Sequence, residues 1–279
     1  MDKSTQIERA RLFRGMHDRS RILLLPNAWD AGSAQLFARR GFAAIATTSG
    51  GMAWSLGYAD GERAPLQEVL AAVARIVRVV ALPVTVDIES GYGQTPDEVA
   101  ATVKAVIGAG AVGVNLEDGT PGHGPQRSVP ESAARIAAAR MAATQAGVPI
   151  VINARVDNWM RPDAGDPAAR LADAIGRAKA CLAAGADCIY PIGLADRAAL
   201  ATFVQAVGAP VNVAAGPGMP DLQALAGLGV ARISTATRFA TLALAAVARA
   251  ADEVLERGQF DGLAAGLTYA DAQQLFQPE

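Results

Sequence analysis

Eight short apolar runs recur along the chain, each followed by a stretch of helical periodicity, and this alternation restricts the fold more than any other feature. The runs span 22–25, 43–47, 84–88, 113–116, 150–153, 188–191, 211–214 and 231–234. They are continuously apolar rather than alternating, as strands buried on both faces of a parallel sheet must be. Helical segments follow at 31–40, 66–80, 96–109, 131–146, 167–184, 195–207, 221–228 and 237–257. Several close on a glycine and an apolar residue that opens the next strand: Gly41-Phe42, Gly110-Ala111, Gly147-Val148 and Gly185-Ala186. Glycine just past a helix end takes the left-handed cap without a Cβ clash.

Eight such units in an uninterrupted chain of 279 residues predict one domain, residues 1–279, folded as a (β/α)8 TIM-type barrel. A doubly wound open sheet would announce itself with an early glycine-rich turn, but the first strand runs into Pro26-Asn27-Ala28-Trp29-Asp30. Residues 258–279 lie outside the repeat as a C-terminal helical extension. Its Phe260, Leu263, Leu267, Tyr269, Leu275 and Phe276 need a cover, supplied by a partner subunit or by the barrel's own helices.

The formal net charge is −2 and the basic residues are scattered, so neither nucleic acid nor an anionic membrane is expected as a partner. The first twenty residues are charged throughout, and no apolar run reaches membrane-spanning length; a soluble, cytoplasmic protein is expected. Cys181 and Cys188 flank a helix–strand turn with no metal-ligand spacing, and read as small reduced residues. His17 reads as a surface residue of an N-terminal helix.

In such a barrel, chemistry is built where strands end. The strand ends here carry Thr47-Thr48-Ser49-Gly50-Gly51, Asp87-Ile88-Glu89, Glu117-Asp118, Asn153-Ala154-Arg155, Asn212 and Ser234-Thr235, while strand starts are mostly Gly, Ala or Pro. Asp87 and Glu89 are two apart and project to one side, and Glu117 ends the neighbouring strand. Three converging carboxylates repel and desolvate one another unless they hold a cation. With neither His nor Cys among them, all-oxygen ligation selects Mg2+, or Mn2+, over Zn2+. The competing reading pairs these acids with Arg155 or uses them as helix caps.

Ser49-Gly50-Gly51 reads as a loop whose backbone N–H groups could receive a carboxylate or enolate oxygen, against the plainer reading of a connector. Arg155 must find an anion, either a substrate carboxylate or a rim acid. The Gly- and Pro-rich stretch 119–130 reads as a mobile loop over the mouth and carries His123. His123 is a candidate proton carrier if it faces the site and a solvated loop residue if it does not.

These residues resemble the isocitrate lyase / phosphoenolpyruvate mutase superfamily over nearly the whole chain. The matching pieces are Pro26-Asn27-Ala28-Trp29-Asp30 with Ser33-Ala34, Ser49-Gly50-Gly51, Ser55-Leu56-Gly57 with Asp60, Asp87-x-Glu89-x-Gly91-Tyr92-Gly93, Glu117-Asp118, Asn153-Ala154-Arg155 and Asn212. The resemblance implies a TIM-type barrel with Mg2+ on Asp87, Glu89 and Glu117, partly through water. It implies a small carboxylic-acid substrate on Ser49, Gly50, Gly51, Arg155 and Asn212. Asp60 then lies near the reacting centre, with Glu117, Arg155 and His123 as further catalytic candidates. It also implies homodimers or homotetramers that exchange a C-terminal helix. The shared chemistry is formation or consumption of a pyruvate-type enolate.

The resemblance has gaps. Where isocitrate and methylisocitrate lyases carry K-K-C-G-H, this chain has Gly119-Thr120-Pro121-Gly122-His123-Gly124-Pro125-Gln126-Arg127, with neither Cys nor Lys. The Lys and Asn by which the mutase grips a phosphoryl group are not evident either. Glu89 stands where many members have Asp, and Ile192 where the methylisocitrate lyases have a substrate-binding Glu. The expected activity is a Mg2+-dependent lyase, cleaving a C–C bond or decarboxylating a small 2-oxo or 2-hydroxy di-acid. The alternatives are a phosphonomutase acting on a P–C bond and a non-catalytic barrel that binds a 2-oxo acid.

Overall fold

A computed structural model describes residues 1–122, 124–160 and 165–277. Strands β1 (Leu23–Leu25) and β2 (Asn27–Ala28) are two halves of one stave, broken at Pro26, which has no N–H for a ladder. From β2 the parallel pairing runs through β3 (Ile45–Thr47), β4 (Val84–Asp87), β5 (Gly113–Glu117), β6 (Val151–Val156) and β7 (Cys188–Pro191). From β1 it runs the other way to β9 (Arg232–Ser234) and then β8 (Asn212–Ala214). A parallel bridge between Ile189 and Val211 joins β7 to the β8 stave, so the circuit of eight staves closes into the expected barrel.

The outer ring comprises α2 (Ala31–Arg39), α4 (Leu66–Val79), α5 (Pro96–Gly108), α6 (Val129–Ala146), α7 (Pro167–Ala183), α8 (Arg197–Val207), α9 (Leu222–Gly227) and α10 (Arg238–Arg257). Their starts are set by side-chain caps. Thr95 and Glu98 form a reciprocal capping box on α5, Ser128 and Glu131 one on α6, and Asp30 and Ser33 one on α2. The Asp30-x-x-Ser33 pattern is thus accounted for by helix initiation. The core lies between this ring and the barrel, where Ile76, Val103, Val114, Ile152, Leu200 and Phe203 are essentially inaccessible. Each such side chain contributes about 2 kcal/mol by leaving water.

Helix α3 (Ser49–Ser55) forms where a loop is expected, while the expected N-terminal helix, α1 (Lys3–Gly15), closes the N-terminal end of the barrel. Phe13 of α1 sits against Gly113, whose position tolerates no Cβ because that carbon would lie 2.9 Å from the ring. Gln6 donates to the carbonyls of Ile107 and Ala111 at 2.8 and 2.9 Å. His17, expected on the surface, is instead buried beyond the end of α1. It packs edge-on against Phe13 at 4.9 Å, with Nδ1 2.8 Å from the Phe13 carbonyl. The helix ends against the barrel floor, and the residues just after it are carried beneath the strands.

In the C-terminal extension, the 3-10 helix Asp261–Ala265 and α11 (Tyr269–Gln274) follow α10. Its end returns to the barrel's own ring: Gln35 and Arg39 of α2 donate to the carbonyls of Leu275 and Gln277 at 2.5 and 2.7 Å. Phe260, Leu263, Leu267, Tyr269 and Phe276 stay exposed, as do Leu242, Leu244, Val247 and Leu255 of α10. Among the described residues, no helix is long and apolar enough to cross a membrane.

Candidate active site

The C-terminal rim gathers most of the polar residues singled out in the sequence. Asp87, the last residue of β4, takes an N–H from Ser49 at 3.4 Å and one from Glu89 at 3.2 Å, while its own N–H donates to Thr47 Oγ1 at 2.9 Å. Glu89 is buried in the following turn; its carboxylate accepts from the Glu62 N–H at 2.7 Å and from the Tyr92 hydroxyl at 3.2 Å. Asp60 lies against the same cluster, its Oδ2 3.2 Å from where a Cβ on Gly50 would stand. Its Oδ1 is shielded from solvent with no hydrogen-bond partner.

Glu117 ends β5 and Arg155 lies within β6, where the register sets them side by side. Arg155 Nη1 meets Glu117 Oε2 at 2.7 Å, and Nε and Nη2 reach the two oxygens of Asp157 at 2.6 and 3.0 Å. The pairing of Arg155 with a rim acid therefore occurs, and it leaves one hydrogen on each terminal nitrogen for a further anion. Asp157 was missed because the strand was expected to end near Asn153; period two along the longer β6 puts Asn153, Arg155 and Asp157 on one face. Asp118 faces the other way and ties down loops. It accepts from Gln126 and Arg177 and from the Asp157 N–H.

Three expectations are revised in place or form. Ser49-Gly50-Gly51 is not an exposed loop but the first turn of α3, capped by Thr48 and with both glycines buried. A Cβ on Gly51 would stand 2.7 Å from Thr48 Cγ2 and 2.8 Å from Trp29 Cβ, and one on Gly50 3.0 Å from Thr237 Cγ2. Close packing, rather than flexibility, requires glycine there. Asn212 begins β8 instead of ending a strand; it is fully buried below the rim, and its Nδ2 reaches up to Ser234 Oγ at 3.1 Å. Stretch 119–130 has a hydrogen-bonded base rather than a free connector. Gly119 and Gln126 form an antiparallel bridge, Arg127 N–H meets the Asp118 carbonyl at 2.8 Å, and Arg177 donates to the Arg127 carbonyl at 2.8 Å. His123 lies outside the described residues.

The electrostatics follow from burial and crowding. Burial raises the Asp87 carboxyl against the pull of Arg155. Burial, then the charges of Asp87 and Asp60, pushes Glu89 up to about 8. Glu117 is held well above the usual range by burial and by its acidic neighbours, against Arg155. Burial alone would lower Arg155, but Glu117 and Asp157 more than reverse it, so it stays charged. Such mutual suppression is what an oxygen-donor cluster shows when read without a cation. Among the described residues, no group of three or more His, Cys, Asp or Glu side chains is already drawn together as a metal-holding set. The donor chemistry of Asp87 and Glu89 nevertheless fits a hard divalent ion, with Glu117 turned toward Arg155 one step behind them.

The backbone is strained at the same place. The non-glycine residues with left-handed φ among those described are Glu62 (59°), Glu89 (51°), Tyr92 (51°) and Ala236 (48°), and all lie at the C-terminal rim. Each costs roughly 1 kcal/mol or more, and such strain concentrates at functional sites. Glu62 and Tyr92 were not among the expected site residues; Tyr92 stands in the Asp87-x-Glu89-x-Gly91-Tyr92-Gly93 motif without a role assigned to it, and no local pattern marks Glu62, whose partners lie on a separate loop.

Comparison with known proteins gives the family of the chain. The family model for phosphoenolpyruvate phosphomutase matches residues 13–255. The 2-methylisocitrate lyase of Escherichia coli K12 is 34% identical over 207 residues, covering 71% of this chain and 67% of that protein. A crystal structure of a candidate phosphonomutase from Burkholderia cenocepacia J2315 is 41% identical with a TM-score of 0.85, covering 91% of this chain and 100% of the other. The structure of a 2,3-dimethylmalate lyase is 25% identical with a TM-score of 0.82, over 96% and 94% of the two chains. The chain, with its acid-lined rim on a closed parallel barrel, belongs to the phosphoenolpyruvate phosphomutase family within the isocitrate lyase / phosphoenolpyruvate mutase superfamily of enzymes.

Proposed function

We propose that the protein is a Mg2+-dependent carbon–carbon lyase, cleaving or decarboxylating a small 2-oxo or 2-hydroxy di-acid by way of a pyruvate-type enolate. The observation that carries this reading is the convergence of Asp60, Asp87 and Glu89 beside the Ser49 N–H and the Glu117–Arg155 pair. Asp87 and Glu89 would hold the metal directly and Glu117 through water, with Mn2+ as a substitute. Bound there, the ion supplies positive charge where an oxyanion develops.

The chain's own groups do the rest. The two unused hydrogens of Arg155 bind a substrate carboxylate, and the start of α3 receives the 2-oxo end at Ser49, Gly50 and Gly51. Asn212, buried below the rim, would act on the ligand through Ser234, to which its Nδ2 donates. Asp60, with one oxygen unpartnered, would take or return a proton at the carbon that becomes the enolate terminus. His123 is the second candidate for that role. Relatives described as a 2-methylisocitrate lyase and a 2,3-dimethylmalate lyase support substrates of this class. The 119–127 stretch lacks the Lys of both branches and the Cys of the lyases, so it favours neither, and Arg127 there is turned to the Gly119 carbonyl.

The test is a panel of oxaloacetate, citramalate, 2-methylisocitrate and dimethylmalate, scored for 2-oxo acid release with Mg2+ and with chelator. Metal-dependent release from any of them is the expected result. Conversion of phosphoenolpyruvate to a phosphonate, seen by phosphorus NMR, would replace this reading with the mutase. Tight binding with no turnover would replace it with the ligand-binding barrel.

The exposed apolar residues of α10 and of the 258–277 stretch fit a second copy of the chain, giving a dimer or tetramer with exchanged C-terminal helices. Light scattering checks this, and a monomer at micromolar concentration would refute it.

A further inference from the structure

Two loops of the rim are joined by a single side chain. Glu62 Oε1 accepts from Ser90 Oγ at 2.7 Å and from the Tyr92 N–H at 3.0 Å, while the Glu62 N–H donates to Glu89 Oε2 at 2.7 Å. The β4 loop is fixed independently from beneath. Buried Arg135 of α6 donates to the carbonyls of Ser90, Gly93 and Gln94. The loop carrying Asp60 has its own course. It is bounded by Gly57 and Gly61, at φ 87° and 98°, and Gly61 touches Gly122 so closely that a Cβ would lie 2.7 Å from the Gly122 Cα.

We propose that Glu62 is a positioning residue that clasps the Asp60 loop to the rim of β4, so that Asp60 and Glu89 are presented to one ligand as a fixed pair. This rests on the proposed function for the roles of Asp60 and Glu89, but the clasp itself is a property of the metal-free chain. Glu62 and Tyr92 both adopt left-handed backbone at this contact, a conformation that tertiary bonding must hold. The groups meeting its carboxylate are a hydroxyl and a backbone amide, so a neutral amide oxygen accepts from them equally well. Geometry, then, and not charge, is what the position requires.

The experiment compares wild type, Glu62→Ala and Glu62→Gln as full-length chains. Amide hydrogen exchange is followed in the metal-free protein over residues 59–64, and Mn2+ binding is read by electron paramagnetic resonance. Glu62→Ala is expected to speed exchange in 59–64 and to weaken Mn2+ roughly tenfold, the scale of losing a group that orients a ligand. Glu62→Gln should stay within about threefold of wild type in both measurements. Ser90→Ala, which breaks the clasp from the other side, should add little to Glu62→Ala. Unchanged exchange in Glu62→Ala, or equal impairment of the Gln and Ala variants, overturns the proposal. A wild type that binds no Mn2+ overturns the metal reading instead, and the exchange data still decide the clasp.

Discussion

The two ends of this barrel are both polar and both buried, yet they handle charge in opposite ways. At the C-terminal mouth, acids crowd together and burial pushes Glu89 up to about 8. At the N-terminal floor, Arg232 is completely inaccessible, its Nε and Nη1 unpartnered, its Nη2 3.4 Å from Asn115 Oδ1, its guanidinium 6.0 Å from the Phe13 ring. Beside it, burial and then Arg232 push His17 down to about 4. The mouth's groups crowd together where strands end and are strained in backbone, while those of the floor are sealed under α1. Unsatisfied charge gathered at strand ends suits a ligand; the same charge sealed in a core weighs on stability alone.

The largest effect expected from this contrast is at the mouth. Glu89→Gln should lower metal-dependent activity roughly 10²- to 10³-fold while stabilising the chelated protein. The sign follows from linkage. Because folding raises this carboxyl from 4.5 to about 8, metal-free native protein loses stability as pH rises through that window. Gln removes the loss, which is on the order of a few kcal/mol, and urea unfolding in chelator at pH 8 measures it. A variant that is both inactive and less stable would mean that Glu89 serves the fold and not a ligand.

At the floor the order reverses. Arg232→Ala should destabilise by about 3 kcal/mol through the cavity it leaves, whereas Arg232→Met, filling similar space without desolvated charge, should be neutral or stabilising. Denaturant unfolding of the two variants decides it. Equal loss in both would show that the guanidinium is as firmly partnered as Arg155 is, and the contrast between the ends would fail.

How far the sequence discloses these two ends has a physical basis. Strands such as β5 were legible because burial on both faces leaves continuous apolar runs, and the rim acids because they interrupt those runs at one end. Arg232 was not, since in Ala231-Arg232-Ile233-Ser234 it reads like any arginine, and its burial comes from Phe13 of α1 packed beneath the strand. Helix α3 was hidden for a different reason. Ser-Gly-Gly is a poor helix former, and the turn exists because Thr48 caps it and its glycines fit against Trp29 and Thr237. Glu62 and Tyr92 act only through contacts 27 to 30 residues away or across a strained turn, which no local period encodes.

His17 tests the smallest difference. Folding lowers its pKa from 6.5 to about 4, so the native protein binds fewer protons than the unfolded chain between those values. Stability contributed by neutral His17 is therefore present above 6.5 and lost as pH falls toward 4. Between 4.5 and 6.5 this opposes Glu89, whose contribution falls as pH rises. The two can be separated by measuring unfolding across pH 4 to 7 in Glu89→Gln, where the opposing contribution of Glu89 is gone. There stability should fall by about 1–2 kcal/mol on acidification, and His17→Asn, uncharged at every pH, should flatten the curve. A slope that survives His17→Asn would assign the acid sensitivity to carboxylates that folding lowers, such as the helix-capping Glu98 and Glu131, and the floor would carry no proton linkage of its own.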